Sequence, residues 1–183
     1  MIFPVHMKIG EFSLPAHLLF ETLGYIIGYR YFLYLRSKQR DRISDANRVW
    51  ILIGATAGAF LFSRIIGSLE NPHAFFSSPN PIMYFFAGKT IVGGLLGGLL
   101  GVEIIKKIIG EKTSSGDLFT FPLILAMITG RVGCFLNGIY EPTFGIETGW
   151  FMGINLGDDK LRHPVSLYEI GFLFLLWVMI KDA

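Results

Sequence analysis

Arg131 sits in the stretch ITGRVGCFLNGIYEP, Ile128–Pro142, directly after the apolar run DLFTFPLILAM. An arginine at bilayer depth costs about 2.5–3.5 kcal/mol on the insertion scale, so a chain that keeps one has a use for it. Other polar groups fall in apolar segments too. His17, Glu21 and Arg30 lie in the first, Arg64 in the second and Lys89 in the third; Tyr168 and Glu169 lie in the last, just inside His163 and Pro164. His17 and Glu21 are four residues apart and share a helix face, which Tyr25 continues one turn on. Arg30 stands near the inner end and can snorkel to the interface, whereas nearly all the others fall in the outer half of the bilayer. A polar cavity holding Arg64, Lys89 and Arg131 suits an anion, and a lipid phosphate is the most available anion at that depth. The guanidinium fork can bind two phosphate oxygens at once. The rival reading is ion pairing, Glu21 with Lys89 or Glu169 with Arg131, which would only hold the bundle together.

Three further groups could move a proton or attack. His17 could serve as a general base with Glu21 fixing its tautomer. His163 precedes a proline at a helix start, where it could shuttle a proton or act as a cap. Cys134 is the single cysteine, and a lone thiol in a span reads as a small apolar residue.

These residues need a scaffold, and the composition supplies one. The chain has 183 residues, 52% apolar and only 16% charged, against about 25% charged in soluble proteins. Mean hydropathy is +0.53. The expected architecture is all-α, a polytopic helical membrane domain spanning 1–183 with about five transmembrane helices. The expected spans are 14–35, 49–66, 82–105, 118–136 and 165–180, with an outer interfacial segment over 138–163. No period-two alternation argues for a barrel, so the spans are read as helices. The N-terminal stretch lacks a charged region followed by an apolar core, so no cleavable signal peptide is expected.

Orientation follows from basic residues. Arg36, Lys38, Arg40, Arg42 and Arg48 crowd the first loop, and Lys106, Lys107 and Lys112 the third. The segment GSLENPHAFFSSPNP between spans two and three has neither Lys nor Arg. The positive-inside rule places the N-terminus outside and the C-terminus in the cytoplasm. A net charge of +2 is too small to point to nucleic acid. In the third span Gly93, Gly97 and Gly101 repeat every four residues, as do Gly94 and Gly98, a double small-residue face for close helix packing.

The motifs resemble a family. GRVGCFLNG, Gly130–Gly138, resembles the prolipoprotein diacylglyceryl transferase signature Gly-Arg-x-Gly-Asn-Phe-x-Asn-Gly. HPVSLYE, His163–Glu169, resembles that family's His-Pro-x-x-Leu-Tyr-Glu, and VGGLLGG its His-Gly-Gly segment. The resemblance implies an enzyme of the bacterial inner (plasma) membrane. It would move the diacylglyceryl group of phosphatidylglycerol onto the lipobox cysteine thiol of a prolipoprotein, leaving a thioether and glycerol phosphate. Arg131 and Asn137 match positions that hold the lipid head group; His163, Tyr168 and Glu169 match the second motif; Gly93 and Gly94 match the glycine pair. The chain departs from the pattern at Val92, where the family has histidine, and at Cys134, where it has asparagine. The family is also longer, with two further spans. Lys89, one turn before Val92 on a similar helix face, could supply charge or a base there.

The chemistry implied is displacement of a phosphate ester by a thiol. Arg131, with Lys89 or Arg64, would stabilise charge gathering on the leaving phosphate. His17, His163 or Glu169 would take the thiol proton. Glu21 and Tyr25 would line the site. No cofactor is implied, and no metal, because no His/Cys/Asp set has ligand spacing along the chain. The alternative is a non-catalytic lipid-binding or scaffold homologue. A transporter fits poorly, because the charges stay near one face.

Overall fold

The computed structural model describes residues 3–9, 11–39, 41–114 and 116–181. Arg40, used in the orientation reading, and the terminal Asp182 and Ala183 lie outside the described residues. The elements are β1 (His6–Ile9), β2 (Phe12–Pro15), α1 (Ala16–Lys38), α2 (Asp45–Leu69), α3 (Pro72–Phe76), α4 (Pro81–Ala87), α5 (Ile91–Ile109), α6 (Asp117–Asn137), a 3-10 turn (Gly138–Tyr140), β3 (Ile154–Asn155), β4 (Leu161–Arg162) and α7 (Val165–Lys181). They form two compact units. One comprises Met1–Arg40 and Ser115–Ala183, and the other Asp41–Ser114.

Helices dominate both units. Those covering 45–69 and 117–140 are long and apolar enough to cross a membrane, and α4 with α5 makes a third if the bent pair counts as one span. Helix α1 is 23 residues long, about 34 Å at 1.5 Å per residue, but carries Glu21, Arg30, Arg36 and Lys38. Helix α7 has 17 residues, about 25 Å.

The expected third span, 82–105, is not one helix. It breaks between Ala87 and Ile91, and the two pieces meet at 86°. The residues that break it are anchored by α2. Ser63 Oγ donates to Thr90 O at 2.9 Å and accepts from Thr90 N at 3.1 Å. Arg64 Nη1 donates to Gly88 O at 3.1 Å. Backbone groups freed from a helix must find partners, and here a neighbouring helix supplies them. Gly67 permits the approach, because a Cβ there would lie 2.9 Å from Lys89 N.

In the second unit α2 and α5 run antiparallel with glycine against glycine. Gly54 faces Gly101, Gly58 faces Gly97, and a Cβ on Gly93 would lie 2.6 Å from Phe62 O. The expected small-residue face is therefore the α2 contact, and α2 answers with its own Gly54 and Gly58. Asn71 and Asn80 cap α3 and α4 by accepting from Ala74 N and Met83 N, both at 3.1 Å, each just before a proline. Arg48, counted above as a loop charge, is 2% exposed and forms a fork with Asp41, with both bonds 2.7 Å.

In the first unit α1 and α6 are antiparallel. Gly24 lies against Ala126 and Gly130, Gly28 against Pro122 and Ala126, and Gly133 against His17 and Phe20. Helix α7 also packs antiparallel on α6, with Phe121 against Trp177 at 5.0 Å between ring centres. Two short hairpins complete the unit, β1 with β2 and β3 with β4. Val5 N donates to Leu136 O at 2.9 Å, and Ile139 N to Leu156 O at 3.2 Å, so both hairpins dock on the end of α6.

The glycine face gives a direct test. A Cβ at Gly97 would collide with Phe62 and the Gly58 backbone, whereas one at Gly94 meets nothing nearer than 4.0 Å. Gly97→Ala is expected to destabilise by about 1–3 kcal/mol and Gly94→Ala hardly at all, read as thermal midpoints in detergent.

A second test concerns Glu111, just beyond α5. Its carboxyl is lowered from 4.5 to about 2, chiefly by the Thr113 N–H, then by the Thr113 hydroxyl and the Asn47 amide. Asn47 Nδ2 reaches Glu111 Oε2 at 3.0 Å and ties the start of α2 to the end of α5. A depressed carboxylate contributes in full above its ordinary value, and loses that contribution as pH falls from 4.5 towards about 2. Glu111→Gln is expected to lower the unfolding midpoint at pH 7, with the gap narrowing at pH 3.

Candidate functional site

The candidate site forms where α6 ends. Asn137 is the last helical residue, and Gly138 follows at φ 62°, a left-handed value that suits glycine. The chain turns back there, so residues 141–143 return over the last turns of α6. Arg131, Cys134 and Asn137 lie on those turns.

Arg131 divides its guanidinium between two sides. Nη2 donates to Glu169 Oε1 on α7 at 3.1 Å. Nε stands 2.5 Å from Glu169 Oε2, a charge contact too poorly aligned to be a hydrogen bond, since that oxygen has no such partner. On the other side, among the described residues, Nη1 donates to Cys134 Sγ at 3.7 Å and makes a long contact of 3.5 Å with Thr143 Oγ1. The side chain is 12% exposed. The ion pair weighed above as a rival therefore exists, and it leaves one guanidinium edge lightly occupied.

His17 comes in from the first turn of α1. Its Nε2 is 3.8 Å from Glu21 Oε2, and its Nδ1 is 3.7 Å from Glu141 Oε2. Helical spacing anticipates the first contact but says nothing of the second. Glu21 faces His17, and Lys89 belongs to the other unit. Tyr25 is 73% exposed.

At the start of α7, His163 Nδ1 and the Tyr168 hydroxyl are 3.0 Å apart. His163 also faces Trp150, with ring centres 5.9 Å apart. The loop carrying it is braced by Arg162, which donates to Asp158 Oδ2 through Nε at 2.8 Å and Nη2 at 2.6 Å. The hydrogen bonds from Arg162 hold the Asp158 carboxyl below its ordinary range, and those to Asp158 push the guanidinium up. Lys160 pairs with Glu147. The basic residues of the outer segment are thus matched by acids.

The fold therefore gathers His17, Glu21, Arg131, Asn137, His163, Tyr168 and Glu169 in one unit. Arg64, Lys89, Gly93 and Gly94 belong to the other. The expectation for Lys89 needs correcting. It is exposed and sits in the break before α5, on no helical face shared with Val92. Arg64 is committed to the Gly88 carbonyl and lies over the Phe60 ring at 5.4 Å. Gly93 turns its Cα towards α2. Glu141 and Thr143 were missed as site residues. The available signal was Asn137-Gly138, a helix end that returns the next few residues over the helix.

The family model for prolipoprotein diacylglyceryl transferase matches residues 4–182. The chain belongs to this family. Similar curated proteins carry the name phosphatidylglycerol–prolipoprotein diacylglyceryl transferase. The one from Paramagnetospirillum magneticum is 26% identical over 95% of this chain and 69% of its own length. Those from Rickettsia canadensis and Rhodospirillum rubrum are 29% and 28% identical, over 92% and 91% of this chain. The chain spans 66% and 62% of those two relatives. In family terms, the two motifs expected from the sequence meet at the Arg131–Glu169 pair.

Breaking that pair from one side leaves the other charge unmatched, which costs more than removing both. Glu169→Leu is expected to lower the thermal midpoint more than the double variant Arg131→Met with Glu169→Leu, measured side by side in detergent.

Proposed function

We propose that this chain acts as a diacylglyceryl transferase, moving the diacylglyceryl group of phosphatidylglycerol, or a similar anionic phospholipid, to the lipobox cysteine of a prolipoprotein. The observation that carries this reading is the divided guanidinium of Arg131. Glu169 fixes its orientation, and the Nη1 edge, with contacts of 3.5 and 3.7 Å only, is left for a phosphate oxygen. A cation held in place before the reaction stabilises the leaving phosphate as its charge grows. Asn137 and Tyr168 stand at the same helix ends for the head group. His163, His17 or Glu169 would take the thiol proton. Glu21 and Tyr25 would complete the wall.

In this reading α1 and α7 cross the bilayer too, and the chain has five spans in one transmembrane domain. It lies in the inner membrane, with its N-terminus outside and its C-terminus in the cytoplasm. The site then faces outward, where secreted preproteins arrive.

The test uses protein in nanodiscs with labelled phosphatidylglycerol and a lipobox peptide, beside a longer relative as a positive control. Label is expected on the peptide cysteine, and Arg131→Ala is expected to slow transfer by about 100-fold or more. Saturable lipid binding without transfer, while the control works, would instead establish the lipid-holding homologue.

A further inference from the structure

One cluster at this helix end reaches beyond the chemistry above, in which only its His17 has a role, as one of three candidate bases. His17, Cys134 and Glu141 each offer one ligand atom, and the three atoms lie within 4.8 Å of one another. The donors come from the start of α1, the end of α6 and the turn beyond it. His17 Nδ1 is buried and has no hydrogen-bond partner among the described residues. It faces Glu141 Oε2 at 3.7 Å, too far for a hydrogen bond. Two donors on one tetrahedral ion, with bonds of about 2.0–2.1 Å, stand about 3.4 Å apart. The gap between His17 and Glu141 is close to that spacing. Behind His17, Glu21 Oε2 stands 3.8 Å from Nε2, a charge contact longer than a hydrogen bond.

We infer that His17, Cys134 and Glu141 form a three-donor site for one zinc-class divalent ion, with its fourth position open to the acceptor thiol. The donor set decides the class. A thiolate, an imidazole and one carboxylate suit zinc, whereas magnesium and calcium take oxygen ligands. The Cys134 thiolate and Glu141 would match the two charges of the ion, with Glu21 a further negative charge behind His17 and Arg131 held by Glu169. Arg131 Nη1, 3.7 Å from Cys134 Sγ, supports the thiolate from behind.

The open position rests on the transferase reading. The acceptor sulfur binds the ion and its S–H bond breaks, the proton passing to water. That sulfur then forms the C–S bond to the glyceryl carbon. The carbon–oxygen bond to phosphate breaks, and the leaving oxygen keeps the electron pair beside Arg131. No redox change occurs. His17 is then a ligand, and the reaction needs no base from the other unit.

The experiment treats chelator-stripped protein in detergent with cobalt(II) alone. One equivalent is expected to give a thiolate-to-cobalt charge-transfer band, displaced by zinc. Cys134→Ser and His17→Gln should each abolish the band. A lipobox peptide should intensify the band, and its serine version should not. Thermal midpoints confirm that each variant is folded. No band at stoichiometric cobalt, or a band that survives both Cys134→Ser and His17→Gln, overturns the site. A band unchanged by the cysteine peptide overturns the open position. The readout needs no turnover, so a chain that binds cobalt but transfers nothing refutes the enzyme reading and leaves the ion site standing.

Discussion

Apolar side chains gain nothing by leaving lipid for one another, so helices in a bilayer must be held by close packing. In both units of this protein that packing is backbone against backbone at glycine. The α2–α5 contact runs through Gly54, Gly58, Gly97 and Gly101, and the α1–α6 contact through Gly24, Gly28 and Gly133. The chemistry depends on the second of these. It fixes the first turn of α1 against the last turns of α6, where the polar side chains collect.

Each unit then spends its polar groups differently. The Asp41–Ser114 unit uses Ser63 and Arg64 to satisfy a broken helix, and Asn47 with Glu111 to fasten its other end. These are structural commitments. In the other unit Arg131 donates to one Glu169 oxygen and still has an edge to offer, while His17 holds a buried nitrogen without a hydrogen bond among the described residues. An unmet polar atom in a low-dielectric setting is costly, and His17 brings one to the helix end where Arg131 and Cys134 lie.

Much of this was legible in the sequence. Apolar runs located α1, α2, α6 and α7 to within a few residues, and the two motifs singled out Arg131 and His163–Glu169. The break before α5 was not legible, because Gly88-Lys89-Thr90 lies within an unbroken apolar stretch. What breaks it is a hydroxyl and a guanidinium on another helix, and hydropathy carries no trace of that. For the same reason Lys89 was given a helical face it does not have. The Glu141 contact with His17 was hidden too, since 124 positions of chain separate the two and only the turn at Gly138 joins them.

Gly133 meets the backbone of His17 across the helix contact; a Cβ there would lie 3.0 Å from His17 O and 3.2 Å from its Cα. A methyl group at 133 would therefore lever the imidazole away from Cys134 and Glu141 while it pried two helices apart. Reactivity and fold robustness are geared to one another at this point, so that neither can be adjusted by substitution without moving the other.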